Sequence, residues 1–131
     1  LDSPGHGFPK SRRLGTATDF QRVFQRSCKS ADSRLTVLAR ANGETFPRLG
    51  LAISKKNIRK AHDRNRLKRL IRESFRQCQQ QLGGIDFVVM ARSTALQADH
   101  ETLFRSLQKH WAFLVKQCKP SWSSSSKPTA T

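Results

Sequence analysis

Residues 48–76 read RLGLAISKKNIRKAHDRNRLKRLIRESFR, and the change of period inside this stretch decides the fold. In residues 48–54, Leu49, Leu51 and Ile53 alternate with Arg48, Gly50, Ala52 and Ser54, which is the two-residue period of a strand. From about Ala61 the period becomes helical. At about 100° per residue, Leu67, Leu70, Ile71, Ser74, Phe75 and Cys78 fall on one stripe, Asn65, Arg69, Arg72 and Arg76 lie opposite, and Arg66 and Lys68 flank the basic face. One side of this helix is built to enter a core, and the other presents guanidinium groups with an amide among them. Glu73, four residues after Arg69, offers the in-helix ion pair.

Residues 55–76 hold ten Lys or Arg against Asp63 and Glu73, so half of the net charge of +16 sits on about one sixth of the 131 residues. A basic helix face often serves solubility alone, but solubility is served by mixed signs, and uncompensated like charges repel one another at a cost to the fold. A polyanionic partner removes that cost. The charge and a pI near 11.3 point to nucleic acid first and an acidic membrane surface second. No apolar run approaches the roughly 18 residues of a membrane span, and LDSPGHGFPKSRRL at the start lacks the apolar stretch of a secretory signal.

Chain length allows one domain with one modest core, and 36% hydrophobic residues are enough to build it. Residues 1–15, rich in Gly, Pro, Ser and Arg, read as a flexible arm, residues 16–119 as the domain, and residues 120–131 as a Ser-rich tail with no reason to fold. Residues 16–19 resemble a capping box, followed by a helix with Phe20, Val23 and Phe24 on one side. On spacing alone, Phe20 and Phe24 read first as core. Residues 34–40 alternate as a strand, and Asn42-Gly43 is the strongest hairpin signal in the chain. The small residues Gly50, Ala52 and Ser54 mark a sheet face that either lies beneath a close-packed helix or leaves a trough for an extended ligand. Leu82-Gly83-Gly84 stops the basic helix. Residues 87–91 then form an apolar strand, and Asp99 caps a last helix bearing Leu103, Phe104, Leu107, Trp111, Leu114, Val115 and Cys118 on its core stripe. The predicted architecture is a two-layer α+β fold, one sheet with helices mainly on one side.

Cys28, Cys78 and Cys118 are odd in number, widely spaced and without a CxxC pair, which predicts buried free thiols and a reducing, cytoplasmic setting. His6, His62, His100 and His110 are scattered, with His100 and His110 expected at helix surfaces or edges, and none has metal-ligand spacing. Nine acidic residues leave little material for a carboxylate metal site. No catalytic nucleophile or acid/base pair stands out.

RLGLAISKK followed by RNRLKRLIRESFR resembles the bacterial ribonuclease P protein subunit, whose signature is an RNR-x-KR-x-x-R-E/Q helix after an SKK loop. FPKSRRL and DFQRVF before it and DFVVMAR after it fall in the family's order, so the resemblance covers roughly residues 8–119. The chain departs from the family in its NIRKAHD loop and in having no Tyr, with Leu38 a candidate for the place of a strand aromatic. The resemblance implies a fold of the ribosomal protein S5 domain 2-like type, in the order α-β-β-β-α-β-α, with a left-handed β-α-β crossover and a short extra strand near residues 28–30. Handedness rules alone would have favoured the opposite hand.

The resemblance also implies the function. A catalytic RNA, with Mg²⁺ held mainly by RNA, removes the 5′ leader of precursor tRNA, and the protein assists without supplying a catalytic residue. It maps Arg64, Asn65, Arg66, Lys68, Arg69 and Arg72 onto the surface that docks on the catalytic RNA, and Phe20, Phe24, Lys55, Lys56 and Arg92 onto the cleft and rim that hold the leader. It implies no membrane and no obligate protein partner. A ribosomal-type protein that binds structured RNA without assisting cleavage is the alternative. A helix-turn-helix DNA reader lacks its motif here.

Overall fold

The computed structural model describes residue 14 and residues 17–25 and 27–118. Most of the arm, the capping-box side chains and the Ser-rich tail lie outside these residues. The chain runs α1 (Ala17–Gln25), β1 (Cys28–Ala31), β2 (Leu35–Ala41), β3 (Arg48–Ala52), α2 (Ala61–Leu82), β4 (Ile85–Ala91), a 3₁₀ turn (Ser93–Gln97) and α3 (His100–Gln117). The strands form one sheet in the order β1-β2-β4-β3, with β1 and β4 antiparallel to β2 and β3 parallel to β4. This is the α+β order expected, including the short strand at Cys28.

One expectation from local signals is overturned. Asn42-Gly43 does turn the chain, with Gly43 at φ 78°, but β2 and β3 do not form a hairpin, because β4 lies between them. The hairpin is β1–β2, and its turn is made by Asp32, whose Oδ1 accepts the backbone N–H groups of Arg34 (2.7 Å) and Leu35 (2.8 Å). A loop-length rule cannot see a strand that arrives more than forty residues later.

Register divides the sheet into two faces. Leu35, Val37, Leu49, Phe87 and Val89 point to the main core, where they meet Leu67, Ile71 and Phe75 of α2 and Leu107, Trp111 and Leu114 of α3. Trp111 stands edge-on to Phe75 and Phe87, with ring centroids 5.8 and 5.0 Å away. Its indole N–H donates to Ser74 Oγ at 3.0 Å, which explains a polar residue on the apolar stripe of α2. The opposite face carries a smaller core of Leu14, Val23, Leu38 and Val88 beneath α1. Leu38 is therefore buried packing rather than the wall of a cleft.

At one end of the sheet, Asp86 is buried inside β4 rather than bounding it. Both its oxygens accept from Arg48, Nε to Oδ1 and Nη2 to Oδ2 at 2.8 Å each, and Asn42 Nδ2 adds a third bond at 2.8 Å. Removing one member of such a pair strands the other charge at a cost of about 3–5 kcal/mol. α2 ends at Gly83, φ 66°, and a Cβ on Gly84 would collide with the Glu44 carbonyl oxygen.

Two expectations about titratable residues are corrected. Cys28 and Cys118 form a disulfide, Cα atoms 6.3 Å apart, because β1 lies against the end of α3; only Cys78 is a free thiol, so the thiols give no support to a reducing setting. His110 is buried rather than peripheral. Its Nδ1 lies 2.6 Å from Ser30 Oγ and its Nε2 3.1 Å from Asp32 Oδ2, while Ser106 Oγ donates to the same carboxylate oxygen.

Partial burial works against the Asp32 charge, but hydrogen bonds from Ser106, Leu35 and Arg34, with the His110 ring beside them, outweigh it and bring its pKa down to about 2 from an ordinary 3.8. A carboxyl whose pKa is lower in the folded state contributes stability that is complete above about pH 4 and is lost as pH falls toward 2. Asp32→Asn is therefore expected to melt below wild type at pH 7 and to lose part of the steep decline in melting temperature between pH 4 and pH 2. Melts followed by circular dichroism across that range provide the check.

Candidate nucleic-acid interface

The parallel pairing of β3 and β4 brings their C-terminal ends side by side, with Ala52 opposite Met90. The chain leaves β3 through a tight turn. Ser54 Oγ accepts the Asn57 N–H (3.2 Å), Ser54 O accepts the Ile58 N–H (2.9 Å), and Ile58 is fully buried as the anchor. Asn57 Nδ2 reaches Ala91 O at 3.4 Å, latching the turn to the end of β4. Lys55 and Lys56 lie on this turn, which Asn57 ties to the residue before Arg92, and all three cations are exposed. Three expected leader-contacting cations thus share one rim, held by Ser54, Asn57 and Ile58.

Phe20 and Phe24 lie one turn apart on α1, with ring centroids 6.4 Å apart. Phe20 is half-buried, and Phe24 is 48% exposed, so the outer ring of the pair is open to solvent. The Phe20 ring closes over Gly50: a Cβ there would lie 2.7 Å from Phe20 Cζ and 3.1 Å from Leu14 Cβ. Gly50 is therefore covered by α1, and Ser54 is spent on the turn. The proposed trough of Gly50, Ala52 and Ser54 shrinks to Ala52 and Met90, both half-buried, between the aromatic pair and the cationic rim.

The six cationic and amide residues expected on α2 do not act alike. Arg64 Nη1 donates to Ile58 O and Arg59 O, both at 2.9 Å, so it braces the loop before the helix. Asn65 and Arg69 face solvent. Arg66 and Arg69 border a pocket toward the start of α3, while Lys68 and Arg72 line another with Phe20, Leu14 and Gly50. Lys68 and Arg72 are thus shared with the aromatic side. Glu73 does not pair with Arg69; it receives Arg76 Nε (3.2 Å) and Gln77 Nε2 (3.0 Å), leaving Arg69 uncompensated by it.

Sequence reasoning missed two cations. Arg34 sits at the rim, where its carbonyl accepts the Arg92 N–H at 2.9 Å, and exposed Lys29 shares a sheet face with Leu38 on edge strand β1. Alternation across residues 28–31 is the only signal, and four residues are too few to carry it. Among the described residues no group of three or more His, Cys, Asp or Glu could hold a metal ion, and no helix is long and apolar enough to cross a membrane.

The family model for ribonuclease P matches residues 8–115. The chain belongs to the ribonuclease P protein family. It is 56% identical over 119 residues to the ribonuclease P protein component of Methylococcus capsulatus, covering 91% of this chain and 93% of that one. Among solved structures it is similar to a mutant RNase P protein of Staphylococcus aureus (TM-score 0.74, 30% identity, 79% of this chain and 88% of that one). It is also similar to the RNase P protein of Thermotoga maritima (TM-score 0.67, 31% identity, 79% and 96%). Its role is that of a ribonuclease P protein subunit in tRNA processing.

The contact between Phe20 and Gly50 is directly testable. Gly50→Ala is expected to cost about 1–3 kcal/mol by overpacking. In a double-mutant cycle, Phe20→Ala should relieve part of that cost, giving a coupling of about 0.5–3 kcal/mol in urea denaturation.

Proposed function

We propose that the cationic face of α2 docks on the catalytic RNA of ribonuclease P, and that the open sheet face holds the single-stranded 5′ leader of precursor tRNA. The observation that carries this reading is the run along one sheet face of an aromatic pair with Phe24 open to solvent, a half-buried floor at Ala52 and Met90, and a rim of Lys55, Lys56 and Arg92. Exposed aromatics stack on unpaired bases with little demand on sequence, and lysines neutralise phosphates without reading bases. Arg66 and Arg69 can fork onto phosphates of a folded RNA.

In this reading hydrolysis belongs to the RNA, whose Mg²⁺ is held by RNA and substrate. The protein's cations neutralise phosphates crowded near the cleavage site, which lowers the Mg²⁺ concentration needed, and its leader contacts favour precursor over mature tRNA. A cytoplasmic setting is supported by the family's role in tRNA processing and not by the cysteines. The deciding experiment is reconstitution with a bacterial ribonuclease P RNA at low Mg²⁺. Stimulated leader removal supports the reading; RNA binding without stimulation would make the chain a structured-RNA binder only, and cleavage by the protein alone would make it a nuclease.

Two variants separate the surfaces. Reversing charge at Arg66 and Arg69 together should abolish holoenzyme assembly at moderate salt and leave the circular dichroism spectrum unchanged. Phe20→Ala should weaken precursor tRNA binding to the holoenzyme on the order of 10-fold, with a smaller loss for mature tRNA; equal losses would make Phe20 core alone.

A further inference from the structure

Between α2 and the first turn of α3 lies a pocket of about 330 Å³ lined by Arg66, Arg69, Leu70, Glu73 and His100. None of its α3 side was part of the basic motif. His100 is the first residue of α3, and its exposed ring stacks on Phe104 one turn later, with centroids 4.6 Å apart and planes 21° from parallel. Phe104 in turn packs against the main core. The imidazole is therefore a supported flat surface with one side backed by Phe104.

The charges around it are mixed. Arg66 and Arg69 supply donors on one side, and Glu73 supplies an acceptor on the other, its carboxyl held below the usual carboxylate range by hydrogen bonds from Arg76 and then Gln77. A carboxylate in the lining repels a phosphate, whereas it suits the amino edge of a base, and Leu70 gives the pocket an apolar floor. A flat ring, an apolar floor, an acceptor and two flanking guanidinium groups are what an unstacked nucleotide needs.

We propose that this pocket takes one unpaired nucleobase of the catalytic RNA, stacked on His100, with its amino group donating to Glu73 and the flanking phosphates on Arg66 and Arg69. The inference rests on α2 being the docking surface for that RNA, and it extends the surface from a phosphate-binding helix face onto α3. It turns a contact that reads only charge into one that also requires an extruded base.

The test measures the dissociation constant of the full chain for a bacterial ribonuclease P RNA at fixed salt and Mg²⁺, with base-reactive probing of the complex. His100→Ala should weaken binding on the order of 10-fold and expose one unpaired nucleotide that wild type protects. His100→Phe, which keeps the stack, should restore both. Wild-type affinity and protection in His100→Ala, alongside weakened binding by Arg66→Ala/Arg69→Ala, overturns the pocket and leaves the docking reading standing. An unweakened double Arg variant overturns the docking reading and the pocket with it. Equal loss in His100→Phe and His100→Ala overturns stacking as the contact.

Discussion

Leu67, Ile71 and Phe75 are fully buried against the sheet, and everything α2 shows to solvent is aimed by that contact. Burying each side chain contributes about 1.5–3 kcal/mol, so together they rival the net stability of a small domain. The Trp111 indole fixes the rotation of the helix as well as its position, because its N–H bond to Ser74 and its edge-on packing against Phe75 and Phe87 fit only one facing. A rotation of one residue, about 100°, would put Lys68 where Leu67 lies.

The second face rests on much less. α1 is held by Val23, by Phe20 over Gly50, and by a bond from Arg40 Nη1 to the Arg22 carbonyl at 2.9 Å. The division suits the proposed reading, in which a folded RNA would meet a helix anchored in the larger core and a single strand would meet a short helix on a small one.

What could be read in the sequence followed from period. The stripe of α2, the Asp99 cap and the core residues of α3 all lie within one element, where spacing alone determines the face, and the structure agrees with them. Features that depend on which elements become neighbours were not legible. Asn42-Gly43 looks like a hairpin because nothing local announces β4; Cys28 meets Cys118 only after β1 reaches the end of α3; and His110 finds its partners in Ser30, on a strand four residues long, and Asp32, in the turn after it. In the interface, the cation types were legible, but Arg64's duty to the preceding loop and the coverage of Gly50 by Phe20 required coordinates.

Lys68 and Arg72 belong at once to the basic face of α2 and to the pocket under Phe20, so the positive potential is not partitioned between the two candidate surfaces. In the proposed reading these cations displace condensed counterions from the phosphates of both RNA segments, and at physiological ionic strength the screening length of about 8 Å is no shorter than a side chain. In that reading, salt that loosens one RNA also loosens the other, because both draw on a single electrostatic reservoir at the edge of β3.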